Sequence, residues 1–271
     1  MDLLFFKAAL AAYFLSTVGY AISLLVKRML VAKVSMWILF AAFLLQSIAF
    51  GFRCSATGGS PIHGIYDALA LLAWIMTGVY LAFQFKTKTR ILGAFVSPVA
   101  FLLMIVASVR LLDRVPIPAI LQGSLVPLHV MLAVTGEAFF ALASCAGAMY
   151  LVQDYLIKNK KGRSFSRLLP SLRDLDRINH ICLLGGFPLL TLGVLVGSVW
   201  ARTVWGSQWQ WDPKQIWTLL AWLSYAILLH QRLAIGWKGH KAAIYSIMAF
   251  LILLISFVVF RGFFPSAHSF V

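Results

Sequence analysis

Acidic side chains are scarce in this sequence: 8 Asp and Glu stand against 23 Lys and Arg. Charged residues of both signs make up 11% of the chain and hydrophobic ones 62%, whereas a soluble domain carries about 25% and 45–50%. This shortage of charge excludes a soluble globular fold for most of the chain, and the longest polar stretch, 153–179, is too short for a separate soluble domain. One membrane domain over 1–271 is therefore expected. Cysteine is also rare. Cys54, Cys145 and Cys182 lie far apart, and neither CxxC nor CxxCH occurs. That excludes a thioredoxin-like redox pair and a site for covalent c-type haem attachment within the chain. Cys145 and Cys182 fall in apolar runs and read as packing residues. The formal net charge of +15 does not point to nucleic acid. The basic residues sit between apolar runs and are not interleaved with aromatics on a polar face. Their expected contacts are with anionic membrane lipid. Internal repeats and low-complexity tracts are absent as well.

What the chain has is apolar runs. A run of about 20 residues crosses a bilayer as a helix. Eight such runs occur, at roughly 4–26, 34–52, 66–85, 91–109, 128–152, 180–201, 214–233 and 242–260. The first is too long for a signal-peptide core and lacks a basic start, so it is expected to be a retained span. The segments 27–33, 86–90, 153–179 and 232–241 hold sixteen of the 23 Lys and Arg. Basic loops stay on the cytoplasmic side. The expected architecture is therefore an all-α polytopic membrane protein of about eight transmembrane helices with both termini outside. Loops 53–65, 110–127 and 202–213 and the C-terminal tail would then face outward.

One outward segment stands apart. Six of the nine tryptophans lie within 200–222, and the core of that stretch reads Trp205-Gly-Ser-Gln-Trp209-Gln-Trp211-Asp212-Pro213-Lys214-Gln-Ile-Trp217, continued by Trp222. An interfacial aromatic belt would spread indoles over many helix ends. Clustering them around Gly206 and Pro213 instead builds a local shelf, suited to a large flat apolar ligand whose polar edge meets indole N–H groups. Asp212 before Pro213 is also a good helix start. Asp212 is thus read both as a cap and as a ligand contact, and the sequence alone does not choose.

The expected topology sorts the histidines. His129 opens the fifth span and His268 lies in the tail after the eighth, both at the depth of the shelf. Two neutral imidazoles facing each other can ligate haem iron axially. His230 falls about 24 Å below Lys214 at 1.5 Å per residue, towards the inner side. An ionisable residue there is either a functional group or a marker of the interface beside Arg232. His180, at similar depth, is read chiefly as the end of the basic loop, and His63 and His240 as loop residues. Glu137 is the one carboxylate well inside a span, two turns below His129 and about 80° round the helix. It either lines the same cavity or makes a structural hydrogen bond.

The run WGSQWQWDPKQIWTLLAWLSYAILLHQR resembles the tryptophan-rich WWD signature of the cytochrome c assembly family, which includes CcsA or ResC-type, CcmC-type and HemX-like proteins. GFPLLTLGVLVGSVWA (186–201) and the final FPSAHSF are similar to the family too, and GGSPIHGIYDALALLAW more loosely, so the family core would cover about 60–271. The resemblance implies a component of a cytochrome c haem lyase or synthase in the bacterial cytoplasmic (inner) membrane. Such a protein binds haem b non-covalently, relays it to the outer face and presents it for thioether attachment to apocytochrome c. By the same resemblance, His129 and His268 match the outer axial pair, and His230 the histidine that receives haem from the inner side. Trp205, Trp209, Trp211, Asp212 and Trp217 match the signature, and a second membrane subunit supplies the other intramembrane histidine. Three positions depart from the usual pattern: Gln215 replaces Glu, Glu137 replaces an uncharged residue, and Ser-Ala-His replaces Gly-Leu-His. The alternative that these departures imply is a HemX-like membrane regulator of haem or tetrapyrrole synthesis without synthase activity.

Overall fold

The structure is a computed structural model that describes residues 1–57, 65–87, 89–109, 123, 125–160, 169–209 and 211–263. Eight α-helices and no strands occur among them. They are α1 (Asp2–Val26), α2 (Met29–Thr57), α3 (Ile65–Thr87), α4 (Gly93–Ser108), α5 (Leu125–Lys158), α6 (Leu172–Trp205), α7 (Pro213–Leu233) and α8 (His240–Phe263), with a 3-10 turn at Arg90–Leu92 before α4. In lipid a helix is the open-chain structure that satisfies every backbone polar group internally, which is why the apolar runs fold this way.

Six helices, α1 to α6, are long and apolar enough to cross a membrane, so the chain is a multi-pass membrane protein. The last two expected spans coincide with α7 and α8. α7 has 21 residues, but tryptophan, tyrosine, glutamine and basic side chains dilute its apolarity. α8 is apolar over His240–Ile255.

α5 and α6 extend past the expected spans. Each has 34 residues, or about 51 Å of helix against a hydrocarbon core of about 30 Å. They take in both flanks of the expected 153–179 loop. Ser171 starts α6: its Oγ accepts from the Asp174 backbone N–H at 3.1 Å and donates to Asp174 Oδ2 at 2.6 Å, a reciprocal cap. At the end of α5, Asp154 pairs with Lys158 at 2.8 Å.

The helices pack as two groups, α1–α4 and α5–α8, joined chiefly by α3 against α5. Lipid offers little hydrophobic drive to bring helices together, so close backbone approach and buried hydrogen bonds do that work. In the first group the Tyr13 hydroxyl donates to Gln46 Oε1 at 2.7 Å and Gln46 Nε2 donates to the Ala70 carbonyl at 2.8 Å, tying α1, α2 and α3. In the second group the tie lies at the end of the helices that carries Arg232. Arg232 donates to Asn179 Oδ1 at 2.8 Å and Asp176 Oδ1 at 2.9 Å, while Asn179 Nδ2 donates to the Ala143 carbonyl and to Ser246 Oγ, both at 2.8 Å. One polar clamp thus fastens α5, α6, α7 and α8.

α5 and α6 meet through glycines. A Cβ added at Gly136 would lie 2.7 Å from Leu190 N, and one at Gly193 would lie 2.8 Å from Ala133 N. Both distances are too short for any side chain, so glycine at these points lets the two backbones touch.

Candidate functional site

α6 delivers the tryptophans to one end of the bundle. It stops at Trp205 because Gly206 takes the left-handed conformation (φ +73°) and returns its N–H to the Arg202 carbonyl at 3.0 Å. Trp205 is half-buried and meets Trp200 edge-on, with ring centroids 5.2 Å apart. Trp209 is half-buried and stands edge-on to Trp211 at 5.8 Å. Trp211 itself is 73% exposed. Its φ is +53°, a conformation that costs a residue bearing a Cβ about 1–2 kcal/mol. Strain of this kind gathers at ligand sites. Asp212 is buried and its Oδ1 accepts from the Lys214 backbone N–H at 2.8 Å, so the capping role expected for it is present. Trp217 lies half-buried in the first two turns of α7.

Trp222 departs from the expected shelf. Its indole N–H donates to Thr191 Oγ1 at 2.9 Å and its ring packs on Phe187. It joins α7 to α6 deeper in the bundle and belongs to the packing.

His129 sits on the first turns of α5, half-buried, and lies against α6. Its Nδ1 is 2.7 Å from the Gly193 carbonyl oxygen. A carbonyl only accepts, so Nδ1 carries the proton and Nε2 keeps its lone pair. That is the tautomer in which a histidine ligates a metal, with its other nitrogen oriented by a backbone carbonyl. Gly197, one turn further along α6, completes the cradle: a Cβ there would come within 2.6 Å of Nδ1 and 2.7 Å of Cε1. Neither glycine was singled out from sequence. Their spacing in Gly193-Val-Leu-Val-Gly197 is a small-xxx-small pattern that marks a close helix contact, but nothing in it says that the neighbour is His129.

Among the described residues the polar atoms of this region are incompletely paired. Trp209 Nε1 is buried without a hydrogen-bond partner, as is Glu137 Oε2 two turns down α5 from His129. Unmade hydrogen bonds at buried polar atoms are costly, so such atoms point to a ligand or water. An unpaired indole N–H, an imidazole nitrogen with its lone pair free and exposed aromatic surface fit an iron-containing flat ligand with a polar edge, as haem is. Three or more His, Cys, Asp or Glu grouped for a bare metal ion do not occur among the described residues.

The remaining expected residues separate from this site. His268 and His63 lie outside the described residues. His230 is exposed near the far end of α7, on the face that also exposes Leu223 and Ile227. It points away from the fold, whereas Arg232, two residues on, turns inward to the clamp. No hydrogen bond joins His180 to His230 among the described residues; His180 lies inside α6 and does not begin it. His240 Nδ1 is 3.0 Å from Asp154 Oδ2.

The family model for cytochrome C assembly proteins matches residues 62–267. The cytochrome c biogenesis protein CcsA of Chlamydomonas reinhardtii is 34% identical over 207 residues, 74% of this chain and 58% of that protein. CcsA of Pyropia yezoensis is 30% identical over 257 residues, 80% of this chain and 81% of that one. CcsA of Microcystis aeruginosa is 28% identical over 256 residues. The fold resembles a solved structure of the cytochrome c heme lyase CcmF, with a TM-score of 0.70 over 95% of this chain and 46% of that chain. Identity there is 16%, so that likeness concerns the fold alone.

Proposed function

The chain belongs to the cytochrome c assembly protein family, and on that premise we propose that it is the haem-binding membrane subunit of a cytochrome c biogenesis system. In this reading it takes haem b without a covalent bond, relays it to the outer face and presents it to apocytochrome c. The tryptophan end faces outward from a bacterial cytoplasmic membrane, and both termini lie outside, because sixteen of the 23 Lys and Arg fall in the segments assigned to the opposite side.

The observation that carries the reading is His129. Its Nδ1–H is committed to the Gly193 carbonyl, which leaves Nε2 to ligate iron beside Trp209 and Trp211. His268 is the second axial ligand. Trp205, Trp209, Trp211 and Trp217 hold the plane of the group, and Asp212 fixes the start of α7 beneath them. When bound, haem supplies the vinyl groups across which cysteine S–H adds to form thioethers. The residues of this chain contribute position: they fix iron, plane and polar edge so that two thiols of one peptide reach their targets, and proximity supplies much of the rate.

His230 is the inner receiving point. Its exposure on an apolar helix face supports a partner membrane subunit as the source of a second histidine. A strain lacking this chain tests the assignment. Loss of c-type cytochromes with normal haem precursors is expected. Intact c-type cytochromes with altered precursor levels would instead identify a HemX-like regulator.

A further inference from the structure

Glu137 is a buried carboxyl group that the proposed site does not use. It is 9% exposed, and its Oε2 has no partner among the described residues. Gly136 faces α6, and Glu137 is the next residue round the helix. On α7 the residues at 214, 218, 221 and 225 share one face by their spacing. Ala221 and Tyr225 on it are buried, and Tyr225 stacks on Phe140 of α5 with ring centroids 3.5 Å apart. Glu137 interacts electrostatically with both Lys214 and Tyr225 of this face.

Lys214 is the unusual member. It sits in the first turn of α7, exposed, within electrostatic reach of His129, Glu137 and Asp212. Asp212 bonds the Lys214 backbone N–H. Among the described residues, no carboxylate comes within ion-pair distance of the Lys214 ammonium. A cation at the edge of an apolar bundle, beside an imidazole whose Nε2 is free, is suited to an anionic ligand. A group held at that Nε2 as proposed above carries its own anions, the two carboxylates of haem.

We propose that the Lys214 ammonium binds a carboxylate of the haem held at His129. The contact is a charge-assisted N–H to O bond, stronger than a neutral one. It would set the rotation of the haem about the iron–histidine axis, and so decide which edge faces the incoming peptide. This inference rests on the haem-binding reading.

The test compares haem with its dimethyl ester, which lacks the negative charges, on the purified full-length protein. The unchanged protein is expected to bind the free acid about tenfold or more tighter than the ester, the range of a hydrogen bond to a charged group. Lys214→Gln removes most of that preference while affinity for the ester stays within about twofold. Lys214→Arg retains the preference. Glu137→Gln retains it too, because Lys214 is the donor to the ligand.

A preference that persists in Lys214→Gln, or is lost equally in Glu137→Gln, overturns the assignment. Should Lys214→Gln not accumulate, the acid-to-ester ratio of the unchanged protein decides, and a ratio near one overturns it. The two readings fail differently. If His129→Ala leaves the haem spectrum intact, the haem site itself is misplaced. If His129→Ala removes the spectrum but the ester ratio ignores Lys214, the carboxylate proposal alone fails.

Discussion

The two ends of helices α5 to α7 differ in what their polar side chains hold: a four-helix clamp at one, a partly exposed tryptophan cluster at the other. At the Arg232 end, guanidinium, amide and carboxylate are bonded to one another: Arg232 reaches Asn179 and Asp176, and Asn179 reaches Ala143 and Ser246, while the neighbouring His180 Nδ1 stays unpaired among the described residues. At the tryptophan end, Trp209 Nε1 is buried with no partner among the described residues, as is Glu137 Oε2 two turns down α5 from His129, and the His129 ring uses one nitrogen on Gly193. A polar network whose members are all bonded rigidifies a core. One left open at a bundle end invites a ligand. Under the proposed function the same helices serve as a fastener at one end and a receptor at the other.

Breaking the fastener should have the largest effect on stability. Arg232→Met leaves Asp176 and Asn179 without their shared donor, and removing one partner of a buried ion pair costs about 3–5 kcal/mol. A lower unfolding temperature in detergent is expected, with the haem spectrum of the surviving folded protein unchanged. If haem is lost while the unfolding temperature holds, the division of roles between the ends is wrong.

At the receptor end the expected effects are smaller in energy and show in binding. Gly197→Ala places a methyl against the His129 ring, so the imidazole must move. Haem affinity is expected to fall by about tenfold, an energy of about 1.4 kcal/mol. Titration of apoprotein with haem measures it, and an unchanged affinity would mean that the cradle does not position His129. Trp209→Phe deletes an indole N–H that has no partner among the described residues. Unfolding temperature should hold, while haem affinity drops by the worth of one neutral hydrogen bond, about 0.5–1.5 kcal/mol. A destabilised protein would show that the indole is structural. The smallest stability effect belongs to His230→Ala. That side chain is exposed, so a change within about 0.5 kcal/mol is expected; a larger loss would place His230 in the packing.

The same contrast explains what was readable beforehand. Helix positions were legible because span length and basic punctuation are properties of one segment at a time. Helix ends were less so: the Ser171–Asp174 cap and the Asp154–Lys158 pair carry α6 and α5 beyond their apolar stretches. His129 and the tryptophans stood out by residue type. Its tautomer did not, because the Gly193 carbonyl that sets it lies 64 residues away in sequence. Trp222 looked like part of the shelf by proximity in sequence, yet its rotation around α7 turns its indole towards Thr191. The outward face of His230 likewise depends on which helices are neighbours.

The central claim, that His129 is a haem ligand at the tryptophan end, meets its most direct test in the absorption spectrum of the purified, reduced protein. The unchanged protein is expected to carry haem with the signature of two axial histidines. His129→Ala, alone or with His268→Ala, should abolish that outer-site spectrum while the helices stay folded. An undiminished haem content and spectrum in the double variant would contradict the account.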